Sequence, residues 1–102
     1  MKEYNKLVRD KIPEIIEHSG KQCDIITVEE TEFKEYLENK LHEEVAEYIE
    51  EKNLEELADI MEVVYGLANS LGCSEQDLNE CRNKKYNERG GFKKGIILRK
   101  VW

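Results

Sequence analysis

Five carboxylates within seventeen residues carry the chemistry open to this chain: Glu43, Glu44 and Glu47, then Glu56 and Asp59. They read as E-E-x-x-E, eight intervening residues, then E-x-x-D. Residues three and four apart are neighbours on a helix, so Glu43 and Glu44 each lie beside Glu47, and Glu56 lies beside Asp59. Each like-charged pair costs its helix about 0.2–0.5 kcal/mol. If the two segments fold back on each other, the carboxylates converge, and such a cluster is hard to keep ionised unless a cation sits within it. Oxygen-only ligands point to a hard divalent ion, Mg²⁺ with Mn²⁺ as the alternative.

Two helices must position these groups. From Glu32 the apolar positions Phe33, Leu37, Leu41, Val45, Tyr48 and Ile49 recur at helical spacing, which predicts a helix with Thr31 as N-cap, ending near Glu51 or Lys52. Asn53 with Glu56 has the form of a capping box opening a second helix. That helix is apolar on most sides, with Leu57, Met61, Val64 and Leu71 on one stripe widened by Ile60, Val63 and Leu67. In a chain of 102 residues, so broad a stripe implies a contact supplied by another subunit. The two- or three-residue link makes the helices antiparallel neighbours. Glu56 and Asp59 interrupt the more apolar helix, where unpartnered carboxylates are rare.

The flanking elements are shorter. Asp10 is placed to cap a helix carrying Pro13 in its first turn and stopping at Ser19-Gly20. Ser74 with Asp77 opens a thinly apolar surface helix from Glu75 to about Asn87, ended by Gly90-Gly91. Gln22 to Val28 and Ile96 to Trp102 are β-rich runs, expected to pair as a two-stranded ribbon leaning on the helices, with Trp102 covering them. The expected fold is a single domain over residues 1–102. It is mainly α, built on an antiparallel helical hairpin with about four helices and a small ribbon, and completed by dimerisation.

Charge is segregated along the chain. The net charge is −7, yet residues 24–62 carry −12 and residues 82–102 carry +7. An acidic cradle with a basic tail suits a polyanion that arrives with a metal, such as a nucleoside triphosphate; mutual attraction of the two ends is the plainer reading. Lys84, Lys85 and Arg89 precede Gly90-Gly91, where they either clamp phosphate or favour the negative end of the helix dipole. Arg9 and Lys11 could reach the same phosphates, or form surface salt bridges.

Other classes are disfavoured. No apolar run approaches membrane-spanning length, so no membrane partner is expected. The absence of a signal-peptide pattern, together with three cysteines lacking a C-x-x-C pair, suggests free thiols in a cytoplasmic protein. A zinc site from Cys73, Cys81 and His42 fits no recognised spacing. His18 and His42 read as solvated, and Tyr48, Tyr65 and Tyr86 as packing residues. No G-x-x-x-x-G-K-S/T loop occurs, which disfavours a P-loop enzyme.

Paired E-E-x-x-E and E-x-x-D motifs on consecutive helices resemble the all-α nucleoside triphosphate pyrophosphohydrolases, the MazG-like and phosphoribosyl-ATP pyrophosphohydrolase superfamily. The opening Y-N-K-L-V-R-D-K-I-P-E-I-I from Tyr4 and the tail N-K-K-Y-N-E-R-G-G-F-x-x-G-I-I-L from Asn83 look like a small, single-domain, house-cleaning branch of that group. Together with the acidic motifs, these stretches are spread from Tyr4 to Leu98, nearly the full length of the chain. The eight-residue gap between acidic motifs is short for the superfamily, and the ribbon is an addition to its helical core.

The resemblance implies a homodimer or dimer of dimers around a four-helix core. It implies Mg²⁺-dependent cleavage between the α- and β-phosphates of a nucleotide, releasing monophosphate and pyrophosphate. Glu44, Glu47, Glu56 and Asp59 match the metal ligands. Glu43 matches an extra acidic position that binds a second metal or orients the attacking water, which with Glu44 makes the catalytic pair. Lys85 and Arg89 match phosphate-holding residues, and Arg9 and Lys11 are assigned beside them. The expected partner is a nucleotide, not a nucleic-acid polymer. Hydrolysis of phosphoribosyl-ATP and a non-catalytic interaction module on the same scaffold are the alternatives.

Overall fold

In the computed structural model, residues 2 and 4–102 are described. Among them the chain forms four helices: α1 (Ile12–His18), α2 (Glu30–Glu51), α3 (Leu54–Ser70) and α4 (Glu75–Arg89). No helix is long and apolar enough to cross a membrane. The mainly helical architecture and the α2–α3 hairpin agree with the sequence pattern.

The link between α2 and α3 is as short as the spacing required. Lys52 takes a left-handed conformation (φ 49°) and donates its N–H to the Tyr48 carbonyl at 2.7 Å, closing α2. Asn53 then caps α3, its side chain accepting from the Glu56 N–H at 2.9 Å. This reversal lays α3 directly back along α2. The helices approach closely at Gly66, where a Cβ would stand only 3.0 Å from Leu37 Cδ2. A larger residue at position 66 would displace Leu37, one of the few buried apolar side chains.

Those few are Leu37, Val63 and Ala68 among the described residues. All three belong to the α2–α3 layer. The outer stripe of α3 is covered unevenly. Val64 and Ala68 are half-buried and buried, whereas Leu54, Leu57, Ala58 and Met61 on the same helical face lie open. α4 begins with a full capping box between Ser74 and Asp77, but only Leu78 of its residues is even half-buried. Its hold on α3 is therefore confined to its first turn. The radius of gyration is 17.7 Å, against about 13 Å for a compact chain of this length. The accessible surface is 9697 Å², where a closed monomer of 12.0 kDa exposes about 6,000 Å².

Several local expectations need correction. Lys11, not Asp10, occupies the N-cap of α1, with no side-chain hydrogen bond; Pro13 does fall in the first turn. α2 starts at Glu30 with Glu29 as N-cap, so Thr31 lies inside the helix. α4 runs to Arg89, beyond Asn87. Neither Gln22–Val28 nor Ile96–Trp102 forms a strand, and the ribbon is absent among the described residues. A strand needs a partner ladder, and neither segment finds one. Trp102 covers nothing: it is 104% exposed. All three cysteines are free thiols.

Candidate metal centre

The hairpin brings the two acidic motifs together near its closed end. α2 supplies Glu43, Glu44 and Glu47; α3 supplies Glu56 and Asp59. They form two overlapping triads. Carboxylate oxygens of Glu43, Glu44 and Glu47 lie within 4.8 Å of one another, and so do those of Glu44, Glu56 and Asp59. Glu44 belongs to both. The short link is what sets this geometry, because it fixes the last two turns of α2 opposite the first two of α3.

Glu44 is the buried member, 6% exposed in a layer with little else buried. Its Oε1 meets Lys40 Nζ at 3.3 Å, one helical turn back. Its Oε2 is buried with no hydrogen-bond partner, and Glu56 Oε2 is in the same condition. A buried carboxylate oxygen left unpaired costs roughly 1–3 kcal/mol or more. Burial raises the Glu44 pKa above the ordinary carboxylate value, with Glu47 adding to the shift and Lys40 opposing it. The two orphaned oxygens lie in an all-carboxylate donor set of the kind that suits a hard divalent cation. Of the four expected ligands, Glu44, Glu56 and Asp59 fall in one triad, whereas Glu47 joins Glu44 in the other.

Glu43 differs from its neighbour. Burial pushes its pKa up, but hydrogen bonds from Lys6 and Lys40 outweigh this and hold it below the usual range. Lys6 Nζ donates at 2.9 Å and Lys40 Nζ at 3.3 Å. The same Glu43 contact raises the Lys6 pKa. Glu43 thus stays ionised while Glu44 is pressed toward protonation.

The predicted phosphate-binding residues are dispersed. Arg9 donates to Asp59 Oδ1 at 2.7 Å, so it reaches the acidic centre itself. Lys11 is exposed at the start of α1. Lys85 and Arg89 are exposed in the last turns of α4 and form no ion pair among the described residues. Sequence reasoning missed Lys6 and Lys40. Lys40 had a signal, standing three and four residues before Glu43 and Glu44. Lys6 had none, being thirty-seven residues from its partner.

The cavity beside Glu43, walled by Lys6, Tyr36 and Lys40, measures about 70 Å³. Sites for ligands of nucleotide size run to roughly 300–1,000 Å³. A wider hollow of about 560 Å³ lies between the start of α2 and the end of α3. It is at the opposite end of the hairpin, roughly 15 Å from Glu44 along α2. No family model matches this chain, and neither does a curated protein or a solved structure.

Proposed function

We propose that this chain is a Mg²⁺-dependent nucleoside triphosphate pyrophosphohydrolase of the MazG-like kind, cleaving the α–β phosphate bond of modified or damaged nucleotides. The observation that carries the reading is Glu44. It is a buried carboxylate shared by two acidic triads, with one oxygen lacking any partner. Glu44, Glu47, Glu56 and Asp59 would hold the ion. A bound Mg²⁺ would supply charge neutralisation for phosphate oxygens and a more acidic water. Glu43, kept ionised by Lys6 and Lys40, is the carboxylate suited to orient that water, whose proton passes to solvent. Water oxygen bonds to phosphorus, the bridging P–O bond breaks, and pyrophosphate leaves with the bridging oxygen.

The active form in this reading is a homodimer or a dimer of dimers. One chain exposes about 3,700 Å² more than a closed monomer of its mass, well beyond the ~800 Å² per partner of a standard interface. Lys11, Lys85 and Arg89 then bind substrate phosphates from a closed assembly. Within one chain the cavity beside Glu43, about 70 Å³ among the described residues, is too small for a nucleotide.

A non-catalytic helical module is the competing reading. It is favoured by the cations already set against the cluster, since Lys6, Arg9 and Lys40 contact Glu43, Glu44 and Asp59. The deciding experiment is a panel of standard and damaged nucleotides with Mg²⁺ or Mn²⁺ and identification of products. Monophosphate plus pyrophosphate is expected. Orthophosphate alone would indicate a phosphatase, and no product across the panel would favour the module.

A further inference from the structure

We infer that residues 92–102 form an arm that packs on the outer face of the α2–α3 hairpin in a second copy of this chain. The inference rests on the two-copy reading above and is independent of the reaction catalysed.

The arm is apolar and uncovered. Every residue from 79 to 102 is exposed. Phe92 is 99% exposed, Ile97 81%, Val101 82% and Trp102 104%. Isolated apolar side chains on a surface are ordinary, but six within eleven residues, each at least 77% exposed, are not. Gly90, at φ 80°, ends α4 and frees the direction in which the segment leaves. Fully extended, the arm spans up to about 36 Å, enough to cross a neighbouring subunit.

The hairpin has a matching face. Val45 and Ile49 are one turn apart on α2, and Leu57 and Met61 are one turn apart on α3; all four are exposed. Val45 follows the inward-facing Glu44 by one residue, and Leu57 follows Glu56 by one. In antiparallel neighbours the same step turns both side chains to the same side of the hairpin. The four therefore make one patch near the closed end. Farther along that side, Val64 and Ala68 are already covered. Glu43, Glu47 and Asp59 turn the other way, so an arm on this patch leaves the acidic centre open.

Charge selects the occupant. Residues 92–102 contain Lys93, Lys94, Arg99 and Lys100 and no acidic residue, whereas residues 30–70 carry a net charge of −10. Opposite potentials of this kind steer association and suppress wrong pairings. The arm's own chain does not receive it, since α4 leaves the hairpin after its first turn. A second copy offers the identical acidic, apolar face, and two such arms exchange symmetrically.

Trp102 is the only tryptophan, which makes the intact protein its own reporter. Its emission should move to shorter wavelength, and its quenching by acrylamide should fall, over the concentrations at which sedimentation shows dimer forming. Removing residues 92–102 should leave helical circular dichroism unchanged and weaken self-association by about tenfold or more, as losing a buried aromatic anchor does. A dimer whose tryptophan stays solvated would overturn the arm while sparing the two-copy reading. A monomer at every concentration would overturn both. A tryptophan shielded in protein that sediments as monomer would mean that the arm folds onto its own chain, and would equally refute the exchange.

Discussion

At the closed end of the α2–α3 hairpin, carboxylates up to sixteen residues apart in sequence share one site, with Glu44 buried among them. In α4 and the segment beyond it, eight cations stand in solvent and the apolar residues touch almost nothing. The acidic region needs only a two-residue reversal and two facing helices, all of which lie within one chain. Among the described residues the basic region lies against no surface of its own chain, and in the proposed dimer it closes on a second copy. Local geometry is thus complete where sequence neighbours suffice, and incomplete where the partner is remote.

The contrast breaks most severely if the hairpin is loosened. Leu37→Ala removes a buried side chain at the closest approach of α2 and α3, and should cost about 3 kcal/mol in chemical denaturation. A loss under about 1 kcal/mol would mean that the hairpin is not held there. Glu44→Gln should follow in size. Mn²⁺ affinity, read by titration calorimetry, should fall by about 100-fold, as much as losing a hydrogen-bond partner of a metal ligand costs at most. Metal-free stability should hold or rise, because a buried charge has gone. Unchanged affinity would separate the cluster from metal binding.

Glu43 and Glu44 should then pull stability in opposite directions with pH, in protein freed of divalent ions. The folded pKa of Glu44 is raised, so the native state binds the extra proton and stability falls as pH rises through that raised value. That of Glu43 is lowered, so its contribution is present above the ordinary carboxylate value and is lost as pH falls through the depressed one. As pH rises from the ordinary carboxylate value through the raised one, melting temperature should decline less in Glu44→Gln; as pH falls through the depressed one, it should decline less in Glu43→Gln. The smallest effect belongs to Arg9→Gln. Its ion pair with Asp59 is largely solvent-exposed, so thermal stability should change by less than about 0.5 kcal/mol. Metal affinity should rise slightly as Asp59 is released. A large loss of stability would assign Arg9 a structural role that its exposure does not suggest.

The hairpin was legible because everything that builds it is local. The apolar period of α2 and α3, the cap at Asn53 and the Ser74–Asp77 box all act within a few residues, and each formed. Asp10 and Thr31 misled because the backbone turns into the helix at Lys11 and Glu29 instead, and neither observed cap uses a side-chain bond. Cys23 to Val28 and Ile96 to Val101 have strand-forming residues but no ladder, since pairing depends on a distant partner that propensity does not encode. Likewise Lys6 gave no hint of Glu43, whereas the Lys40 contacts follow from helical spacing. The acidic centre was readable as a convergence. Its counterions were readable only where they share α2.

The two-residue link through Lys52 has a kinetic corollary. Closing so short a loop costs little chain entropy, and contacts of low sequence separation form early in folding. Glu44, Glu47, Glu56 and Asp59 flank that link, so they are among the first side chains driven together while most of the surface is still unformed. Mutual repulsion then falls on the earliest step rather than the last. Refolding of the hairpin should accelerate when divalent cations are present from the start of the reaction, and much less when they are added after collapse.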